Sequence, residues 1–361
     1  MTYISEALLY VCFAILTGSL LLRLVPERSR PPIHVPGGLL IACAAAIPVL
    51  SFMPIHQLAS LYADEFELTY IEMLRSILLD VNAGKAWIWT ALGSAGLLVL
   101  LGVRAFRSDK HMPKVALFVT MLLVIWLGYA SHASSLSSIK GLVVHSAHFL
   151  AFTVWIGILF AAGWFGRSGD NWPAFLRWFS PLAIVCVVVT LLAGLTLMSM
   201  TTPQYVNSWM LPYGQALLIK HLLIVPLLLF AYTNGFLYKA VAIKNPDFNP
   251  LKWLRVEGSF ALLVLAATAF MGQQAPPHTV KETLQTTSPS SFFTWLYKGA
   301  FSPDLALRAT LQTESVLMLA AAALVAAGAV WSYRLDRPWI AWLLGLLVTV
   351  FAYMGLMFMI A

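Results

Sequence analysis

Histidine and methionine stand in this sequence where they could hold a metal ion. His132 closes one apolar run, and His145 and His148 open the next, across a short Ser-rich turn in the stretch Gly128–Trp164. His145 and His148 are at i and i+3 and so share a helix face. Trp155 lies two turns beyond His148 on nearly the same stripe. Met198-Ser-Met200 ends a later run, and His221 comes early in the one after it, all at a common depth. Imidazole with thioether suits copper, and thioether favours Cu(I). Histidines on adjacent helices also suit the two axial positions of a b-type haem, with Phe149, Phe152 and Trp155 as apolar neighbours of a porphyrin. The plain alternative is a scaffold with wetted interfacial histidines and methionines that fill space. These readings predict bound copper, a haem spectrum, and neither. On the metal reading, His132, His148 and His221 converge on one outer cavity with Met198 or Met200 on its wall. His148, the deeper histidine of its pair, then matters most.

Other polar residues fall inside apolar runs. Lys220 precedes His221 and either snorkels to the headgroups or takes part in the site. Glu257 lies at the opposite depth, just past Arg255, and Asn234 lies at a similar depth one run earlier. A carboxylate there pairs with Arg255, or with Asn234 as a hydrogen-bond partner, or belongs to a proton or cation path. Thr190, Gly194 and Met198 recur every four residues, a small-residue stripe that lets another helix come close.

The elements that position these groups are membrane spans. The 361 residues are 60% hydrophobic and only 10% charged, with mean hydropathy +0.82, against about 25% charge in soluble domains. At about 20 apolar residues per crossing, ten runs qualify: 4–23, 36–53, 85–103, 113–131, 141–163, 178–200, 213–237, 254–272, 312–332 and 338–359. The fold class is therefore an all-α polytopic membrane protein. Most of the 22 basic residues sit in alternate linkers, among them Arg28, Arg104, Arg107, Arg167, Lys239, Lys244 and Arg334. Because cytoplasmic loops collect Lys and Arg, both termini are read as extracytoplasmic. The first run lacks a basic n-region and an A-x-A site, and reads as a retained helix.

Three parts are expected: an eight-helix membrane domain over 1–275, an extracytoplasmic linker over 276–311 whose SFFTWLYKGAF dips into the interface, and a closing two-helix hairpin over 312–361. Gly84-x-Ala86 and Gly214-x-Ala216 open the third and seventh runs alike, which suggests two parallel four-helix repeats. Between the second and third runs, Phe66, Tyr70, Leu74, Ile77 and Leu78 form a helical stripe, read as an amphipathic helix lying on the outer surface. Cys12, Cys43 and Cys186 are far apart within apolar runs and form no disulfide framework. No G-x-x-x-x-G-K-[ST] occurs, nor H-E-x-x-H, so a nucleotide is not an expected partner, and the basic residues form only short flanks of the runs, so nucleic acid is not one either.

The chain resembles the copper resistance D family, the CopD/PcoD type together with the membrane part of YcnJ-like proteins. The resemblance rests on Ser131-His132-Ala133, His148-x6-Trp155-x-Gly157, Gly194, Tyr213-Gly214 with Lys220, Asn234, Glu257, the Pro276-Pro277 exit and Asn82-Ala-Gly-Lys-Ala-Trp87, over about residues 1–280. His145 is an addition to the family's pattern. The resemblance implies a bacterial inner-membrane protein of copper homeostasis, a transporter or metal-handling protein more than an enzyme. It would take a copper ion inward from an extracytoplasmic CopC-like carrier. A more distant similarity to HemJ-type membrane oxidoreductases implies haem b at the same histidines.

Overall fold

A computed structural model describes residues 2–107, 109–167, 171–237, 241 and 248–360 of the chain. Among the described residues, ten helices are long and apolar enough to cross a membrane: α1 (Thr2–Leu24), α2 (Gly37–Glu65), α3 (Asn82–Gly102), α4 (Met112–Tyr129), α5 (Ser138–Phe165), α6 (Trp172–Thr201), α7 (Pro212–Tyr232), α8 (Pro250–Gly272), α9 (Thr313–Arg334) and α10 (Pro338–Met357). Among the described residues there is no strand, only the isolated bridges Ile33 to Gly166 and Ala309 to Ile360. A helix satisfies its own backbone polar groups, which is what hydrocarbon demands. The chain is thus an all-α polytopic membrane protein.

It forms two compact units, Met1–Leu197 and Met198–Ala361. In the first, α1 packs against α2, α4 and α5, and α3 joins α2 to α4. Leu16, Leu20, Ala44, Ile47, Leu97 and Leu123 are among its core. The tightest crossing is between α1 and α5, where Gly18 and Gly157 meet. A Cβ on either would land on the other helix's backbone, so the glycine of the His148–Gly157 motif is a crossing point.

α2 continues well past the expected end near residue 53, through Pro54 to Glu65. It stops in a Schellman turn. Phe66 N–H donates to Tyr62 O, Leu68 N–H donates to Ala63 O, and Glu67 takes the left-handed conformation at φ 54°. The expected amphipathic helix spans only Tyr70–Asp80, and Phe66 falls outside it. Met73 and Ile77 are buried against Ile55, Ala59 and Ala63 of the α2 extension. Its apolar face is therefore covered by protein.

α6 is the least covered span, with 6% of its most apolar window buried. Trp178 Nε1 donates to Ser29 O at 2.8 Å and pins its first half to the α1–α2 linker.

In the second unit, α7 packs against α8 and α10, and α9 pairs with α10. The 276–311 segment contains helices at Val280–Thr286 and Ser291–Leu296. Phe293 is fully buried with Trp209, Met210 and Met357, while Phe292 and Trp295 face outward. The hairpin is bound into this unit by polar contacts. Tyr353 Oη donates to Gln215 Oε1 at 2.6 Å, and Trp253 Nε1 donates to Asp336 Oδ1 at 2.9 Å.

Candidate functional site

His148 carries the most informative geometry. Its Nδ1 lies 2.8 Å from the backbone oxygen of Thr190, on α6. A carbonyl oxygen only accepts, so Nδ1 is the protonated nitrogen and the imidazole's lone pair sits on Nε2. That is the arrangement in which an outer hydrogen bond fixes the tautomer and presents the other nitrogen to a metal. Gly194 makes room for the ring: a Cβ there would be 3.1 Å from His148 Cε1. The small-residue stripe expected to admit a neighbour thus admits an imidazole.

The other groups of the first unit differ in burial. His132 is exposed at the start of a short helix, His132–Leu136, whose N-cap Ser131 accepts from Ser134 N–H. His145 is half-buried near the start of α5, like His148. Trp155 is 3% exposed and sits edge-on to Phe152, with ring centroids 6.3 Å apart. Phe149 packs between Tyr10 and Phe13 of α1. These aromatic residues belong to the core of the unit.

In the second unit, His221 Nδ1 lies 2.9 Å from Tyr205 Oη, with ring centroids 5.5 Å apart. Burial pushes the Tyr205 hydroxyl up to about 12, so it keeps its proton at neutral pH. Tyr205 was not singled out from the sequence. It lies in the connection between Thr201 and Pro212, where no periodicity marks it. Lys220 is half-buried beside His221, and Met198 and Met200 are half-buried at the end of α6, whereas Met210 belongs to the core. Gly214 packs against Ser208 O in the Asn207–Met210 turn, so the Tyr213-Gly214 motif seats α7 on that turn.

At the other end of α7, a π-turn runs over Thr233–Leu237, a form common near functional sites. There Asn234 Nδ2 donates to Glu257 Oε2 at 2.8 Å and to Trp253 O at 3.2 Å. Glu257 is 3% exposed. Arg255 is exposed two residues earlier, off the face that Glu257 occupies. Asn234 is therefore a partner of the carboxylate.

Among the described residues, no three His, Cys, Asp or Glu side chains stand together to hold a metal ion. Within the spans, His148 of the first unit and His221 of the second are each held through Nδ1, and the thioethers of Met198 and Met200 belong to the second.

Two family models match the chain. One described as Copper resistance protein D covers residues 173–271, and one described as Copper resistance protein D-like, N-terminal domain covers residues 1–142. The chain is also 24% identical over 312 residues to the Copper transport protein CutJ of Bacillus subtilis (strain 168). That match covers 79% of this chain and 55% of the relative, so the chain spans about half of its length. No solved structure matches.

Proposed function

The chain belongs to the copper resistance D-type family, and from that membership we propose that it binds copper on the extracytoplasmic side and carries it inward across the cytoplasmic membrane. The observation that carries this reading is the Nδ1–H bond of His148 to Thr190 O, which directs the lone pair of Nε2 to a ligand. Copper is cargo here. His132 and His145 receive it near the surface, His148 holds it in the first unit, and Met198, Met200 and His221 serve in the second. Thioether prefers the softer Cu(I). Lys220 lies beside that second station, and Trp155 keeps α5 rigid behind His148. Asn234 and Glu257 form the inner polar pair, where a buried carboxylate suits a cation or proton passing to the cytoplasm.

The functional domain is taken as residues 1–275, which both family matches fall within. The linker and hairpin over 276–361 lie beyond those matches. Both termini are placed outside the cytoplasm, on the basic-residue asymmetry. A CopC-like extracytoplasmic carrier is the proposed donor.

The test compares wild type with His148→Ala, purified side by side with matched folding, for copper content and absorption spectrum. The expected outcome is copper in the wild type and at least tenfold weaker copper affinity in the variant, about the effect of losing a metal-site group. Equal copper in both proteins would end the His148 assignment. A Soret band without copper would establish haem b at these histidines instead.

A further inference from the structure

Lys252, Arg255, Val256 and Ser259 lie at i, i+3, i+4 and i+7 of α8, a single stripe of that helix. Pro338, Trp339, Trp342 and Leu343 of α10 face it, and between the two runs lies an open groove of about 470 Å³. Trp342 Nε1 donates to Ser259 Oγ at 2.8 Å and ties the walls together. One turn further in, the Phe260 and Phe230 rings press against Gly345.

The chemistry changes along the groove. At the mouth, Lys252 and Arg255 are exposed. Lys252 Nζ lies 3.5 Å from Asp336, a half-exposed pair of the weak kind, and Asp336 also accepts from the Trp253 indole. Trp339 is 62% exposed just inside the mouth, an interfacial residue by type. Val256 and Leu343 then line an apolar path. From Lys252 to Ser259 the helix rises about 10 Å, the distance from headgroup level into hydrocarbon. An occupant must therefore be anionic at one end and apolar at the other. A soluble anion would leave Trp339 and Leu343 unused, and an apolar helix laid in the groove would take the exposed Lys252 and Arg255 out of water.

We propose that the groove between α8 and α10 is a binding site for an anionic phospholipid of the surrounding membrane, phosphate at Lys252 and Arg255 and an acyl chain along Val256 and Leu343. Two basic residues at a membrane surface favour an anionic over a zwitterionic lipid by about thirtyfold.

The full chain, reconstituted in nanodiscs of mixed phosphatidylglycerol and phosphatidylcholine, is released into detergent, and the lipid it retains is counted by native mass spectrometry. The wild type is expected to retain phosphatidylglycerol preferentially. Lys252→Gln with Arg255→Gln should lose about thirtyfold of that preference, and Lys252→Gln alone about fivefold, so the test stands even if the double variant folds poorly. Equal retention of the two lipids by the wild type, or an unchanged preference in the variants, would overturn the proposal. So would displacement of the retained lipid by inorganic phosphate alone, which would make the ligand a free anion.

Discussion

At His148 a ring nitrogen meets an oxygen that only accepts, and that one contact decides which nitrogen carries the lone pair. The same contact also joins α5 to α6, so the histidine has structural work as well as its proposed role toward copper. Gly194 separates the two roles. Gly194→Ala places a methyl 3.1 Å from Cε1, and the ring need shift only a few tenths of an ångström. Gly194→Leu cannot be absorbed that way and should turn the imidazole off Thr190. Copper affinity should then fall about tenfold or more while helix content by circular dichroism stays at the wild-type level. Unchanged affinity in Gly194→Leu would mean that the ring's placement does not matter for copper. His132, His145, His148 and His221 were singled out as candidates from type and position along the apolar runs. Tyr205 was not, because a hydroxyl that completes a histidine from a connecting segment has no pattern to announce it.

α2 illustrates what an element hides. Its apolar run fades near residue 53, yet the helix continues to Glu65 because the extension buries Ile55, Ala59 and Ala63 against the Tyr70–Asp80 helix. A membrane-length count has no term for that packing. Its stop depends on Glu67 in a left-handed conformation, which costs a side-chain-bearing residue about 1–2 kcal/mol and glycine almost nothing. After allowing for glycine's freedom in the unfolded chain, Glu67→Gly should stabilise this corner by about 1 kcal/mol. Slower hydrogen exchange over residues 60–70 would report it, and faster exchange would contradict it.

The neighbouring helix is capped by Thr69 and Glu72 in a reciprocal box. Bonds from the Thr69 hydroxyl and N–H hold the Glu72 carboxyl below its ordinary value of 4.5. A group whose folded value is lowered contributes stability that is present above the unfolded value and lost as pH falls through the folded one. The protection of the amides of residues 70–80, measured against the intrinsic exchange rate at each pH, should accordingly fall below about pH 4.5. Glu72→Gln should remove that pH dependence.

The whole chain must cross the membrane in one orientation. In the proposed orientation, the alternation of basic linkers sets Ser137 outside and the 104–114 loop inside. Asn245, a natural inner probe, lies outside the described residues, as do Lys239 and Lys244. Asp109, which is exposed, serves instead. In intact cells a membrane-impermeant thiol reagent should label Ser137→Cys and leave Asp109→Cys unlabelled, with both variants carrying the native cysteines replaced. The reverse pattern would invert the proposed direction of copper entry. At this scale the hairpin is bound to α7 and α8 through Gln215, Ser259 and Asp336, contacts that a reading by hydropathy had no means to see.

Hydropathy is a running sum along one dimension, so the sequence alone determined the ten spans, nearly all to within a few residues at their ends. It also determined how far along its run each histidine of a span lies, because a helix advances about 1.5 Å per residue whatever surrounds it. The Asn234–Glu257 pairing was readable for the same reason, as two polar residues at one depth in consecutive spans. Only the tertiary structure decided what each side chain meets. Thr190 O is 42 residues from His148, and the two meet because Gly194 leaves space for the ring. Gly18 and Gly157 meet because neither carries a Cβ. Rotation about a helix axis and the angle at which helices cross depend on packing between segments distant in sequence, and periodicity within one segment carries no record of them.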